Sequence, residues 1–237
     1  MKIEKRYLDG TYLNTNKNWD RGDAEWKAHL VNHILRSHSI EIGSICEVGC
    51  GSGDVLRYLY GMFPNAKLKG FDVSPQLLPF WEDSINCISA ETECTFELGN
   101  FFDLNTIKYD VLLMLDVFEH VRDPFTFLEE ARKHAHNFVF HIPLDLSAFG
   151  VARKNPLLNV RRSVGHLNFY TKDIAIETLK DCGYNIIEWK YTGASLNSPN
   201  RSFKTRLAAI PRRLLYAFNK DAGVRILGGE TLLVLAR

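Results

Sequence analysis

The most chemically loaded stretch of the chain is Glu47-Val48-Gly49-Cys50-Gly51-Ser52-Gly53-Asp54, three alternating glycines bracketed by acids. An apolar run precedes it and a segment of helical spacing through Leu56 and Leu59 follows, so it reads as a strand, a glycine turn and a helix. At the carboxyl end of a parallel strand such glycines let the backbone approach a ligand closely. A dinucleotide loop needs G-x-G-x-x-G, but the sixth position from Gly49 is Asp54, whose charge would repel a diphosphate. No Lys-Ser or Lys-Thr pair follows to make a Walker loop either. The turn therefore predicts a ligand that is not held by phosphates. Asp72 ends the second apolar run, 23 residues after Gly49, where an acid can accept two hydrogen bonds from ribose hydroxyls. Ser74 is expected to cap the element that begins at Pro75, which frees Asp72 for a nucleoside-containing ligand.

His120 and His166 are the candidate general bases, because an unperturbed imidazole titrates near pH ~6.5. Each has an alternative role, His120 in orienting the ligand loop and His166 in fixing a substrate loop. Asp116, Glu119 and His120 stand at i, i+3 and i+4 and could converge on a divalent cation if a helix starts there. Acids favoured by a helix dipole explain Glu119 equally well, and no metal is expected. The five cysteines at 46, 50, 87, 94 and 182 form no C-x-x-C pair. They read as reduced thiols, not as a disulfide framework or zinc site.

These residues need a scaffold. Apolar residues make up 46% of the 237 and charged residues 24%, enough for a sizeable core in one domain. Apolar runs at 45–48, 66–71, 95–98, 109–115 and 137–142 alternate with helical spacing, which implies a parallel sheet covered on both faces. Asp23 can cap a helix with Trp26, Leu30, Ile34 and Leu35 on one face, and Asp123 can cap one starting at Pro124. A further helix runs from the cap at Thr171 to a stop at Gly183. Residues 184–191 and 231–236 read as two more strands. The divisions expected within the single domain are an N-terminal cap segment (1–43), a substrate loop (144–170) and a basic helical insertion (193–228).

The ordered set Glu47-x-Gly49-x-Gly51-x-Gly53, Gly70-Phe71-Asp72-Val73-Ser74, Gly99-Asn100-Phe101 and Asp116-Val117-Phe118-Glu119-His120-Val121-x-Asp123-Pro124 resembles the successive motifs of class I S-adenosylmethionine-dependent methyltransferases. The resemblance runs from about Ser44 to Cys182 and resumes at the last strand. The E-H-V-x-D-P element and Gly165-His166-Leu167-Asn168-Phe169-Tyr170-Thr171 are similar to a branch with ubiquinone-biosynthesis O-methyltransferases and many small-molecule and sugar methyltransferases. The likeness implies a Rossmann-like α/β three-layer sandwich, with a seven-stranded, mostly parallel sheet and an antiparallel last strand. It implies S-adenosyl-L-methionine as cofactor, with S-adenosyl-L-homocysteine as product. Glu47 would order the loop, Gly49, Cys50, Gly51 and Gly53 would face the methionine part, and Asp72 with Val73 would take the ribose. Asn100 and Phe101 would flank the adenine, and Asp116 and Val117 would complete the cofactor side. Many relatives carry Asp at position 100; Asn can accept through its carbonyl oxygen and donate through its NH₂. In related ubiquinone-type enzymes a metal is conceivable at Asp116, Glu119 and His120.

The resemblance thus implies an enzyme that methylates a small molecule, most simply at oxygen. The alternatives are an RNA or protein methyltransferase docking through its basic half, and a non-catalytic cofactor-binding partner. Glu47, Asp72 and the E-H-V element, all intact, argue against the last of these. The absence of an Asn/Asp-Pro-Pro-Tyr/Phe run argues against amino-group methylation of bases or glutamines. Residues 1–145 carry 14 Lys and Arg against 22 Asp and Glu, whereas residues 146–237 carry 15 against 6. Net −8 therefore faces net +9. Arg153, Lys154, Arg161 and Arg162, with the cationic stretch 201–218, suggest an anionic or lipid-linked acceptor and peripheral membrane contact. Near-neutral total charge and the lack of an RNA-reading module argue against nucleic acid. With no apolar run of about 18 residues and no h-region in Met1 to Asp20, the expected place is the cytoplasm, reaching the inner membrane face.

Overall fold

The computed structural model describes residues 5–19, 21–86, 93–153, 155–199 and 209–237. The strands are β1 (Ser44–Val48), β2 (Lys67–Asp72), β3 (Cys94–Leu98), β4 (Tyr109–Leu115), β5 (Ala135–Leu144), β6 (Ile186–Tyr191) and β7 (Glu230–Ala236). They form one sheet in the order β3-β2-β1-β4-β5-β7-β6. The first five pair in parallel, and β7 runs antiparallel to both β5 and β6. The expected sheet is found, with its antiparallel last strand inserted between β5 and β6 and not at an edge.

Strand period two sends alternate residues to opposite faces, and both faces are covered. Leu112 and Met114 of β4 join one core with Leu128 and Leu179 of helices α7 (Pro124–Ala131) and α10 (Lys172–Asp181). Val111, Leu113 and Leu115 join the other, against Val31, Ile34 and Leu35 of α3 (Ala24–Ser37) and Leu56 and Leu59 of α4 (Asp54–Met62). The chain winds outward from β1 through β2 to β3, then crosses back to β4 on the other side of β1. That reversal opens a crevice at the carboxyl ends of β1 and β4, where a ligand-binding loop belongs.

Local signals behave unevenly. Asp123 accepts from the Thr126 amide at 3.1 Å, Thr171 accepts from the Ile174 amide at 3.3 Å, and Gly183 sits at φ +84° after α10. The other two expected caps do not form. Asp23 lies in a 3-10 turn and accepts from the Ser198 hydroxyl at 2.8 Å, so its carboxylate ties two distant segments instead. The Ser74 hydroxyl donates to the Tyr7 carbonyl at 2.6 Å and caps nothing. No helix starts at Asp116; Phe118–His120 is a single 3-10 turn.

The cationic stretch 201–218 falls partly outside the described residues, with Arg201, Lys204, Arg206 and Leu207 among those not described, as is Lys154. Its described part belongs to α12 (Ala209–Leu227), which breaks at Asn219 (φ −158°, ψ 103°) and restarts with the Asn219 side chain accepting from the Ala222 amide. Its basic and apolar side chains do not sort by type into outer and inner sides. Arg212 is buried and donates to the Gly228 carbonyl at 3.0 Å, while Leu214 and Phe218 face outward, Phe218 at 89% exposure. Among the described residues no helix is long and apolar enough to cross a membrane. Cys46, Cys50, Cys94 and Cys182 are free and buried, and Cys87 lies outside the described residues.

Candidate functional site

The glycine loop is fastened to β2, with the amides of Gly49 and Cys50 both donating to the Phe71 carbonyl at 2.8 and 3.0 Å. A Cβ on Gly49 would sit 2.8 Å from Val117, and one on Gly51 2.9 Å from Trp19, so neighbouring side chains pack against both positions and the loop requires glycine there. Asp72 closes it: one carboxylate oxygen accepts from the Gly51 amide at 3.1 Å and the other from the Ser74 amide at 3.0 Å. Burial pushes its carboxyl up to about 6, with those amides pulling the other way. Asp54 needs correction as a repelling charge. It is buried in the first turn of α4 and paired with Arg21 at 2.5 Å and Arg57 at 3.1 Å, so its charge is neutralised within the fold.

Two cavities adjoin at this loop and share Gly49, Asp116, His120, Tyr12 and Trp19 as walls. The first, of about 320 Å³, is lined by Asp72, Val73, Asn100, Phe101, Val117 and Tyr7. The second, of about 410 Å³, is lined by Glu47, Lys27, Asp116, His141, Asp145 and His166. The sequence-selected residues thus divide by lobe, except Gly53, which borders neither cavity and instead packs against the Phe96 ring. Asn100 spends its side-chain oxygen on the Phe102 amide at 3.1 Å, capping the short helix Phe101–Leu104, which leaves its NH₂ as the group on offer. Phe101 is almost wholly buried, edge-on to Phe71. Cys50 faces the second cavity, but burial raises its thiol well above the usual range and keeps it protonated.

Asp116 holds an unusual backbone position, φ +57°, that aims its carboxylate back across the crevice. One oxygen pairs with Lys27 Nζ at 2.7 Å and the other with His141 Nδ1 at 2.7 Å; His141 Nε2 in turn meets the Thr231 hydroxyl at 2.9 Å. Burial opposes its charge, but His141 and Lys27 outweigh that and hold the carboxyl far below the usual range. Glu47, beside it, is 2% exposed, and its Oε2 has no partner. Burial pushes Glu47 up to about 8 despite the Lys27 charge, so it is poised to ionise when a cation arrives.

The two candidate bases meet. Their rings lie edge to face with centroids 4.7 Å apart. His166 Nδ1 bonds Asp145 at 2.5 Å, and His120 Nδ1 bonds the Tyr7 hydroxyl at 2.9 Å. Burial, and then His166, push His120 down to about 4, so its ring is neutral. Glu119 is fully buried, and neither of its carboxyl oxygens has a hydrogen-bond partner, His120 Nε2 standing 3.9 Å from Oε1. Its backbone carbonyl accepts from the amides of Leu167 and Asn168, and Asn168 Nδ2 donates to the Val121 carbonyl at 2.7 Å. Those bonds staple the H-L-N loop to the E-H-V turn. The trio that the i, i+3 and i+4 spacing could have brought together does not assemble, because Asp116 turns away to Lys27; Glu119 and His120 group with His166 instead.

Sequence reasoning missed Lys27, His141, Asp145 and Asn168, which sit on four different segments, and it gave Tyr7, Tyr12 and Trp19 no role. Isolated aromatics in a polar leader were the available signal, and all three line the crevice.

Residues 46–137 match the family model described as a methyltransferase domain. A tRNA U34 carboxymethyltransferase of Campylobacter jejuni is 34% identical over 116 residues, 46% of this chain and 38% of that protein. A malonyl-[acyl-carrier protein] O-methyltransferase of Acetivibrio thermocellus is 26% identical over 124 residues, 51% of this chain and 42% of that protein. The chain therefore spans less than half the length of these relatives. Among solved structures, magnesium protoporphyrin IX methyltransferase of Synechocystis with bound S-adenosylhomocysteine superposes with a TM-score of 0.61 at 14% identity, covering 93% of this chain and 86% of that one. At that identity the likeness is one of fold.

Proposed function

We propose that this chain, whose residues 46–137 form a methyltransferase domain of the class I, S-adenosylmethionine-dependent kind, methylates an oxygen of a small acceptor held in the 410 Å³ lobe. The observation that carries the reading is the pair of adjoining cavities, one edged by Asp72 and the other by the His166–Asp145 pair, meeting at the glycine cradle. The residues fit the cofactor. Gly49 and Gly51, at φ +73° and +52°, make a tight turn whose residues line the crevice, and the orphaned Glu47 oxygen suits a cationic part of a ligand. Bound, S-adenosylmethionine supplies a methyl group on a sulfonium, whose departure needs no protonation.

The chain's own side chains do the rest. Asp72 accepts from ribose hydroxyls, and the Asn100 NH₂ faces the adenine side. Glu47 offers the methionine side a carboxyl that can ionise beside a bound cationic group. A carboxylate only accepts, so Asp145 holds the proton of His166 on Nδ1 and leaves the Nε2 lone pair to take a proton from the acceptor hydroxyl. Alignment of the acceptor by these walls can contribute about 7 to 11 kcal/mol. The cap segment, the loop after β5 and the stretch before β7 all border these cavities, which favours one working unit. Exposed Arg161 and Arg162 stand beside the wall residues Val160 and Val164, which favours an anionic acceptor. The relatives that act on tRNA or a carrier protein define the competing acceptors.

The test supplies radiolabelled S-adenosylmethionine with three acceptors in parallel: a panel of small hydroxylated acids, bulk tRNA and holo acyl-carrier protein. Label in the small-molecule fraction is the expected result, and label in tRNA or protein alone would overturn the acceptor assignment. Binding without transfer to any acceptor would favour the non-catalytic partner.

A pH series gives a second expected result. Ribose hydroxyls need Asp72 ionised and its carboxyl stands at about 6, so affinity for S-adenosylhomocysteine should be full above about pH 7. Below about pH 6 it should fall, by up to roughly tenfold per unit. Calorimetry on Asp72→Asn, which cannot titrate, should lose that limb; an identical limb in the variant would assign it elsewhere.

A further inference from the structure

We propose that the free edge of β6 pairs antiparallel with β6 of a second copy of this chain, joining the two sheets about a two-fold axis at Trp189. β6 ends the sheet and is hydrogen-bonded on one side to β7. The direction of its backbone groups follows from the ladder. The Thr192 amide donates to the Thr231 carbonyl at 3.1 Å, so Thr192 faces β7, and period two sends the backbone groups of Lys190 and Glu188 the same way. The N–H and C=O groups of Trp189 and Tyr191 therefore point outward, and among the described residues no strand lies beyond them. Such a row of unpaired groups is a template for another strand.

The side chains choose the partner and the register. In an antiparallel pair an outward residue stands opposite an outward residue, which leaves Trp189 opposite Trp189, Trp189 opposite Tyr191, or Tyr191 opposite Tyr191. The second register sets Lys190 against Lys190, and like charges directly opposite are destabilising. The third sets Lys190 against Thr192 and gives Glu188 no cation. The first sets Glu188 of each copy against Lys190 of the other, on both sides of the axis. Glu188 and Lys190 lie on the α3 side of the sheet, where they meet His38 at 2.6 Å and His33 at 3.1 Å, so the opposite charges reach the same face. Trp189 points to the other face and is 40% exposed, with Lys172 Nζ 4.6 Å from its ring centroid and that charge balanced by Asp221. A part-exposed tryptophan is the kind of side chain that anchors an interface. A lysine on an edge ordinarily discourages pairing, but here a glutamate answers it. The other edge strand, β3, carries Glu97 as its single charge, so no register there sets opposite charges together. β6 leads through Thr192 and Gly193 to Ala194 and Ser198, which line the acceptor lobe, so pairing steadies that wall. The pairing itself stands whatever the acceptor is.

Sedimentation velocity of the full chain across the micromolar range should show a dimer that dissociates on dilution. Lys190→Glu and Glu188→Lys each place like charges opposite and should weaken that dimer at least about tenfold. Mixed in equal amounts, the two variants should recover it as a heterodimer, because each then meets the opposite charge. The doubly exchanged chain, Glu188→Lys with Lys190→Glu, should recover it with itself. Thermal melts by circular dichroism establish which variants fold. Amide hydrogen exchange of the wild type gives a readout that needs no variant: Trp189 and Tyr191 should exchange more slowly in concentrated than in dilute protein, with the amides of β3 unchanged. A monomer at every concentration, a dimer indifferent to either reversal, a mixture of folded variants no tighter than its parts, or exchange at Trp189 and Tyr191 that ignores concentration would each overturn the pairing.

Discussion

Asp72→Ala should lower the affinity for S-adenosylhomocysteine by roughly 10² to 10⁴, the largest effect expected of any single change in the first lobe. The variant loses two charge-assisted hydrogen bonds to ribose hydroxyls, worth about 1.5 to 3 kcal/mol each. It also frees the Gly51 and Ser74 amides that the carboxylate holds at 3.1 and 3.0 Å, so the cradle loosens as its ligand contacts disappear. Calorimetry measures the loss directly. Thermal denaturation supplies a second measure, because ligand at about 100 times Kd stabilises by about 2.7 kcal/mol. In a chain of this size that raises Tm by roughly 5 to 10 °C, a rise the variant should lack at the same ligand concentration. Wild-type affinity in the variant would remove Asp72 from the site.

Gly53→Ala should destabilise the protein by about 2 to 5 kcal/mol, whether or not ligand is present. Gly53 precedes α4 at φ +79°, where an L-residue costs about 1 to 2 kcal/mol. Its added Cβ would fall 2.5 Å from Phe96 Cζ. That ring cannot easily yield, since it is stacked on Trp81 at 5.5 Å and also fills the space above Gly70. Overpacking of this kind adds about 1 to 3 kcal/mol. The expected readout is a Tm lowered by roughly 4 to 20 °C. Phe96→Ala in the same chain should relieve the clash but not the backbone strain, so the double mutant should cost less than the sum of the single changes. Full additivity of the two would show that Phe96 is not what Gly53 makes room for.

The element pattern was readable because alternating apolar runs and helical spacing are properties of neighbours along the chain. The five parallel strands, the caps at Asp123 and Thr171, and the stop at Gly183 follow from rules that act within a few residues. The glycine turn and Asp72 were readable for the same reason. Gly49 and Gly51 are needed where a strand ends against a crevice, and Asp72 ends the adjacent strand.

Partnerships between distant segments were not readable. Ser74 and Asp23 have the right type to cap, but their oxygens are claimed by Tyr7 and Ser198, 67 and 175 residues away. Asp54 carries a charge in sequence and loses its effect in space because Arg21, from the leader, lies against it. Arg212 belongs to a basic run that suggested a surface for an anionic acceptor or a membrane, yet the turn at Gly228 gives its guanidinium a buried carbonyl. Spacing at i, i+3 and i+4 placed Asp116 with Glu119 and His120 only if a helix began there; a left-handed residue and a 3-10 turn send Asp116 to Lys27.

By itself, then, the sequence determined the order of strands and helices, the cradle and its acid, and the two histidines that could do chemistry, since each is set by local backbone preference and residue type. Only the tertiary structure decided that Tyr12 and Trp19 wall both lobes and Tyr7 the first, that Lys27 and His141 grip Asp116, and that His120 and His166 stand ring to ring beside Glu119. Electrostatic state and hydrogen-bond ownership depend on distance and burial, and those exist only once the sheet has brought separate strand ends to one crevice.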